Sequence, residues 1–406
     1  MYSQQTPWQV NYDETQVPPF TLPEVLRSVD GRKISSATEW ERNRPALLEL
    51  FRKEMYGRRM PLPHRTTYKL LSEKKDALDG TALMQQIEMT FSMEDQREHK
   101  AVMLLFIPAG VKGPVPVFTG LTFNGNHVVS DDPDILVTGV TGETFRSFDR
   151  TPGAQSRRFP LKRLMERSFA LAVCSYHDFF PDNYKGWEKS IFSLFLSPEE
   201  LRPRGRDISA IGAWAWGISR MLDYLETHPL VDAGKAAVFG HSRLGKAALW
   251  AGAEDTRFKL VCVNDSGCGG ASPNRRLWGE TLYAMHLKEE SFGNYWFTHT
   301  LRDICKTPEK LSIDQHQLIA LIAPRSVAVH SATEDRWADP RGEYLSLWHA
   351  GKVYELYGRK DLICATPPPP DTPAGSTMSY FLRTGAHDML LPDWECYMDA
   401  FDSALK

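Results

Sequence analysis

No apolar run in this chain approaches the ~20 residues that a membrane-spanning helix needs, so nothing in its 406 residues reads as a bilayer segment. A basic excess is missing as well. The formal net charge of −3 gives no attraction to nucleic acid or to an anionic membrane surface, and neither is expected as a partner. Cysteine is scarce: Cys174, Cys262, Cys268, Cys305, Cys364 and Cys396 include no Cys-x-x-Cys pair and have no histidine beside them at zinc-ligand spacing. That pattern argues against a structural metal. The thiols read as small buried hydrophobes, although Cys268 and Cys305 could pair in an oxidising compartment. There is no internal repeat, and Pro367-Pro-Pro-Pro370 is too short for an interdomain linker. Met1-Tyr-Ser-Gln-Gln-Thr lacks the charged and apolar regions of a signal peptide, so the expectation is a cytosolic chain or one already processed.

What is present is ordinary globular composition, 42% hydrophobic and 24% charged, on a chain long enough for a large core. Residues 1–40 are Pro-rich and read as an extended arm, followed by a helix over 38–55 with a Ser/Thr cap and an early Glu. Strand character occupies 66–71, 83–91, 100–107 and 115–121. Residues 128–165 show little periodicity and are expected to form an insertion over the sheet's functional edge. Strand and helix then alternate: strands are expected at 168–176, 260–263, 327–330, 353–357 and 379–382, and helices at 208–225, 315–321, 341–348 and 393–404. Such alternation implies right-handed crossovers and a mostly parallel sheet covered on both faces.

The stretch 235–250 contains the sharpest signal. A short apolar run ends at Gly240, one serine follows at Ser242, and helix-forming sequence resumes at once. This is a nucleophile elbow in outline: a strained turn lifts the hydroxyl above the sheet edge, and N–H groups of the new helix can bind an oxyanion. The usual Gly-x-Ser-x-Gly pattern is incomplete, because position 244 is Leu and the next glycine is Gly245. The fold expected is an α/β-hydrolase, a three-layer αβα sandwich forming one domain over 1–406, with 1–60 as arm and helix packed on it. His387 is the best base among 12 histidines, since it follows the last strand and precedes the final helix. His241 is held by the elbow, and His316 reads as structural. Two acids compete to orient His387. Asp335 follows the strand that most often supplies the acid, and Asp265 follows the strand ending at Asn264. Asp339, before Pro340, reads as a helix cap.

Several of these motifs together resemble the bacterial glucuronoyl esterases of carbohydrate esterase family 15. Gly240-His-Ser-Arg-Leu-Gly-Lys246 is similar to that family's Gly-x-Ser-Arg-x-Gly-Lys elbow, so Leu244 ceases to be a departure. Asn264-Asp-Ser-Gly-Cys-Gly-Gly270, Glu334-Asp-Arg-Trp-Ala-Asp-Pro340, Gly385-Ala-His-Asp388, the 314–325 segment and Val17-Pro-Pro-Phe-Thr-Leu-Pro23 extend the likeness over nearly the whole chain. Fungal members carry Glu where Asp265 stands, and some bacterial relatives use an acid matching Asp335. The resemblance implies hydrolysis of esters between glucuronic acid, or its 4-O-methyl ether, on xylan and lignin alcohols. It implies Ser242 as nucleophile, His387 as base, and the Arg243 N–H and guanidinium as oxyanion partners. Lys246, Glu280 and Trp337 become sugar contacts. From the residues alone, Lys246 reads equally well as a solvated lysine and Trp337 more readily as a packing residue, while pairing with a surface acid is the lesser reading of Arg243. No cofactor or metal is implied, and a secreted or periplasmic monomer is expected. An acetyl xylan esterase or broad carboxylesterase is the alternative enzyme. An inactive hydrolase scaffold that binds carbohydrate is the alternative from another class.

Overall fold

A hydrophobic strand buried on both faces must send alternate side chains into two different layers, and the central strands here do so. The computed structural model describes residues 10–139, 149–201, 207–362 and 364–405; residues 1–9 of the expected arm and 140–148 of the expected insertion lie outside the described residues. In chain order come α1 (Ala37–Phe51), β1 (Arg65–Asp76), β2 (Ala82–Ser92), β3 (Glu98–Pro108), β4 (Val115–Thr122), β5 (Ala170–Ser175), α2 (Ala210–Leu225), β6 (Val231–His241), α3 (Arg243–Glu254) and β7 (Phe258–Asn264). Then follow α4 (Gln315–Ala320), β8 (Ser326–Ala332), α5 (Pro340–Glu355), β9 (Ala374–Gly375), β10 (Met378–Arg383) and α6 (Leu391–Ala404).

One sheet holds the strands in the order β1-β2-β3-β5-β4-β6-β7-β8-β10-β9. Pairing is antiparallel from β1 to β5 and parallel at every step from β5 to β10. Along β6, Ala236 and Val238 join the core that contains Trp214 of α2 and Trp250 of α3. Ala237 and Phe239 join the opposite core, with Trp394 and Tyr397 of α6. The same split recurs in β7, where Val261 and Val263 face one layer and Leu260 and Cys262 the other. This is the expected three-layer αβα sandwich of an α/β-hydrolase.

The ends of α1 follow from its sequence. Ser36 accepts the Glu39 N–H at 3.3 Å while Glu39 accepts the Ser35 N–H at 2.7 Å, so two free donors are met reciprocally. The helix runs on through a π turn, Arg52–Tyr56, and stops at Gly57, whose φ of 85° and closeness to Ile208 (a Cβ would lie 2.7 Å from its Cα) leave room only for glycine. The arm is tied to the body by the Gly279 N–H donating to Asn11 O and by Glu14 pairing with Arg276 and Arg341. Described parts of the 128–165 segment bury Val129, Ile135, Phe159 and Leu161 in the α6-side core, while Arg157 and Arg158 reach Asp388.

One expectation is corrected, and one open alternative is closed. Residues 353–357 are not a strand: Val353 and Tyr354 lie at the end of α5, whose buried positions Tyr344, Leu347, Ala350 and Tyr354 keep helical spacing. A five-residue apolar run cannot by itself separate the two states. Cys268 and Cys305 are both free thiols rather than a disulfide; Cys268 Sγ donates to Asn274 Oδ1 at 3.4 Å.

Trp394 locks the α6 layer to the sheet. It is fully buried, packs edge-on against Phe239 (4.8 Å) and Phe118 (5.3 Å), and donates through Nε1 to Arg158 O at 2.8 Å. Trp394→Ala is expected to cost about 3–5 kcal/mol, measured as a lower urea midpoint at unchanged slope. A midpoint within error of the parent would refute this account of the layer.

Candidate active site

Strand register brings the functional residues to one edge. His241, Asn264 and His330 are paired neighbours across β6, β7 and β8, so the residues that follow, Ser242 and Asp265 among them, leave the sheet side by side. The Ser242 N–H donates to Asn264 O and the Asp265 N–H to His330 O. Such carboxyl edges of parallel sheets are where α/β folds place their sites.

Ser242 sits at φ 57°, ψ −128°, between β6 and α3. The turn is possible because a Cβ on Gly240 would lie 2.0 Å from Leu244 O. Gly245, not residue 244, is the position squeezed against β7: its Cβ would lie 3.1 Å from both Asn264 O and Ser266 Cβ. Leu244 instead points into the core. The shifted glycine therefore has a packing reason, and the first N–H groups of α3 follow directly after Ser242.

The loops after β8 and β10 are zipped together. The Thr333 N–H donates to Arg383 O and the Glu334 N–H to Gly385 O, while the Gly385 N–H donates to Thr333 Oγ1. Arg383 Nη2 donates to Ala386 O and Asp388 O on either side of His387, and Arg383 is itself held by buried Asp393 at 2.9 Å. This scaffold sets His387 Nδ1 2.5 Å from Asp335 Oδ2, with the imidazole 41% exposed and Asp335 buried. An Nδ1–H donated to Asp335 leaves Nε2 as the proton acceptor.

Asp265 is different. Its Oδ2 is 4.0 Å from His387 Nδ1, it is 2% exposed, and neither carboxylate oxygen has a hydrogen-bond partner. Burial first, and then the charges of Asp335, Glu343 and Asp393, push its carboxyl well above the ordinary range against the pull of Arg383. Of the two acids, Asp335 thus holds the imidazole and Asp265 stands behind it. Asp265, Asp335 and His387 also form the one cluster among the described residues whose ligand atoms, within 4.8 Å of one another, could meet a metal. The 2.5 Å separation of Asp335 and His387 is that of a hydrogen bond; ligands each about 2.0–2.2 Å from one ion stand farther apart.

The remaining expected residues fall into two groups. Arg243 is 6% exposed, and its guanidinium pairs with Asp182, a buried acid rather than a surface one, while lying over the rings of Trp296 (5.0 Å) and Phe123 (5.5 Å). Lys246 departs from the expectation of a direct sugar contact. Its Nζ donates to Ser266 O (2.5 Å), Cys268 O (2.7 Å) and Glu280 Oε2 (2.7 Å), which uses all three ammonium donors within the protein. Glu280 is thereby fixed, and its N–H donates to the carbonyl of Trp337, a partly exposed neighbour on the same wall. His241 is buried beside His387, ring centroids 4.4 Å apart, with Nδ1 facing Asn264 Oδ1; burial first, then the neighbouring His387 and Arg158, keep it well below its ordinary pKa and neutral. His316 Nε2 faces Pro23 O, and Asp339 caps α5, accepting the Gly342 N–H at 3.0 Å.

Sequence reasoning passed over Glu343 and Asp182. Glu343 Oε1 accepts from Ser266 N–H, Ser266 Oγ–H and Gly267 N–H, and Oε2 accepts from Ser331 Oγ–H; burial pushes its carboxyl up to about 7. In sequence it looks like any first-turn helix acid.

The raised carboxyl of Asp265 has a stability consequence. The folded state keeps a proton that the unfolded chain loses near the ordinary value of about 4, so this group lowers stability as pH rises above that value. Asp265→Asn is expected to raise the melting temperature at pH 8, with the gain shrinking towards pH 4. Thermal melts across that range check this, and an unchanged or lower melting temperature at pH 8 contradicts it.

A family model described as Glucuronyl esterase, fungi, matches residues 200–358. Over 403 residues the chain is 38% identical to Carbohydrate esterase MZ0003 of an unknown prokaryotic organism, spanning 97% of this chain and 91% of that protein. Among solved structures, a glucuronoyl esterase from Solibacter usitatus is similar with a TM-score of 0.89 at 35% identity, over 97% of this chain and 100% of the other. A promiscuous CE15 esterase from a marine bacterial metagenome gives 0.86 at 36% identity, over 98% and 100%. With the elbow, the ordered base and acid, and this likeness along its length, the chain belongs to carbohydrate esterase family 15, among the bacterial glucuronoyl esterases of the α/β-hydrolase fold.

Proposed function

We propose that the protein hydrolyses esters of the glucuronic acid carboxyl, including its 4-O-methyl ether, releasing uronate and an alcohol. The observation that carries this reading is a permanently charged guanidinium buried one residue after the nucleophile, at the start of a helix. Ser242 Oγ attacks the ester carbonyl as His387 Nε2 takes its proton, and Asp335 holds the imidazolium through Nδ1. The tetrahedral oxyanion is met by the Arg243 N–H and guanidinium. Collapse expels the alcohol, protonated by His387, and leaves an acyl-serine. Water, deprotonated by the same histidine, then frees the uronate and restores Ser242. The chemistry is complete with these side chains.

Glu280 and Trp337 supply the sugar contacts, an acceptor for hydroxyls and an indole face. Lys246 acts through Glu280, whose Oε2 it holds. The polymeric substrate of this reading is glucuronoxylan esterified to lignin alcohols, met outside the cytoplasm by a single-domain monomer.

Three variants test the assignment of roles with a soluble glucuronate ester. Ser242→Ala sets the floor, and Asp335→Asn is expected to lower kcat by ~10²-fold or more, as loss of an orienting acid does in related triads. Asp265→Asn should cost clearly less. A larger loss at Asp265 would reverse the assignment of the two acids, and Ser242→Ala activity within ~10-fold of the parent would remove Ser242 as nucleophile.

A further inference from the structure

Behind Arg243 lies a carboxylate that the reaction above does not use. Asp182, 1% exposed, follows β5 in a loop with no sequence motif. Its Oδ2 accepts from Arg243 Nη1 and from the Tyr176 hydroxyl (2.9 Å), and its Oδ1 from the Tyr295 hydroxyl (2.9 Å) and Trp296 Nε1 (2.8 Å). The Asp182 N–H donates to His177 Nδ1 at 3.2 Å. Four donors on two oxygens fix this carboxylate from three separate chain segments. Burial would favour its protonated form, but Arg243, Trp296 and Tyr176 outweigh that and hold it below the ordinary carboxylate range, so it is ionised. Trp296 serves twice, donating to Asp182 and offering its ring face to the Arg243 guanidinium 5.0 Å away.

The chemistry of uronate ester hydrolysis gives this charge a task. The substrate's ester is neutral, the oxyanion is transient, and the product is a lasting carboxylate. An arginine without a counter-charge would suit the oxyanion but would also bind the product through a charge-assisted hydrogen-bonded pair. An arginine already neutralised from behind presents aimed N–H groups with little net charge.

We propose that Asp182 is the positioning and charge-balancing partner of Arg243: it aims the guanidinium at the oxyanion and, by offsetting its charge, speeds release of the anionic uronate. This rests on the reading of Arg243 as the oxyanion's partner.

The test is a double-mutant cycle on the full chain, with kcat and KM for a neutral glucuronate ester and the inhibition constant of free glucuronate. Asp182→Asn is expected to lower kcat by ~10-fold or more and to tighten product inhibition several-fold, a change that mere loosening of the fold does not produce. In the Arg243→Gln background the same substitution should change both quantities by less than about twofold, since its effect passes through the missing guanidinium. An equal loss of kcat in both backgrounds overturns the proposal, as does product inhibition that is unchanged or weaker in Asp182→Asn. If Arg243→Gln alone keeps the parental kcat, the reading of Arg243 fails and the proposal falls with it; a crippled Arg243→Gln with additive losses sinks the Asp182 role only. Should thermal melting show Asp182→Asn to be unfolded, Tyr295→Phe takes its place, removing one restraint on Asp182 while leaving its charge. A drop in kcat confined to the Arg243-containing background is then expected, and an equal drop in both contradicts the proposal.

Discussion

The positive φ of Ser242 is the constraint on which the rest of the site depends. A non-glycine residue in such a conformation costs of order 1–3 kcal/mol and persists only where its surroundings over-determine it. Here β6 is buried on both faces and Leu244 is anchored in the core, while a Cβ at Gly240 would overlap Leu244 O and one at Gly245 would press on Asn264 O at the end of β7. The strand cannot twist away and the helix cannot start later. The hydroxyl of Ser242 is therefore delivered to the sheet edge by packing, at the position where the β7, β8 and β10 loops converge.

Around that turn the protein gathers buried charges and pairs them: Arg243 with Asp182, Lys246 with Glu280, Arg276 with Asp339 and Arg383 with Asp393. Removing one member of such a pair typically costs about 3–5 kcal/mol, because the other is left uncompensated. Three of these pairs join segments 34 or more residues apart, so they fix relative positions that hydrophobic contacts alone leave soft; Arg383 and Asp393, ten residues apart, tie the end of β10 to α6. Asp265 stands apart from this pattern. With no hydrogen bond and three acids nearby it resists ionisation, so the two acids near His387 differ in kind: Asp335 accepts a hydrogen bond from the imidazole, and Asp265 lies 4.0 Å from it without one.

Much of this was legible in the sequence because the signals are local or depend on chain order. A strand, one serine and a helix in immediate succession define the elbow at 240–246, and His387 before the final helix follows from the order of elements. The Asp335 to His387 contact was one of two open choices, and reach decided it. What was not legible depends on partners from elsewhere in the chain. Lys246 looked free to meet a ligand because Ser266, Cys268 and Glu280, which use its donors, lie on a loop whose path the sequence does not specify. Asp182 stands in Phe-Phe-Pro-Asp, where nothing suggests that four donors converge. At 353–357 the error was of another kind: a run too short to display the helical period that the preceding ten residues carry.

The central claim is that this site is built for an acyl group bearing the functions of a uronic acid, and comparing two esters of one alcohol tests it most directly. With benzyl glucuronate and benzyl acetate the leaving group is the same, so the ratio of kcat/KM isolates recognition of the acyl side. Polar groups arranged for sugar hydroxyls go unpaired with acetate, and the account predicts a preference for the glucuronate of ~10²-fold or more. Equal turnover of the two, or a preference for acetate, would contradict it.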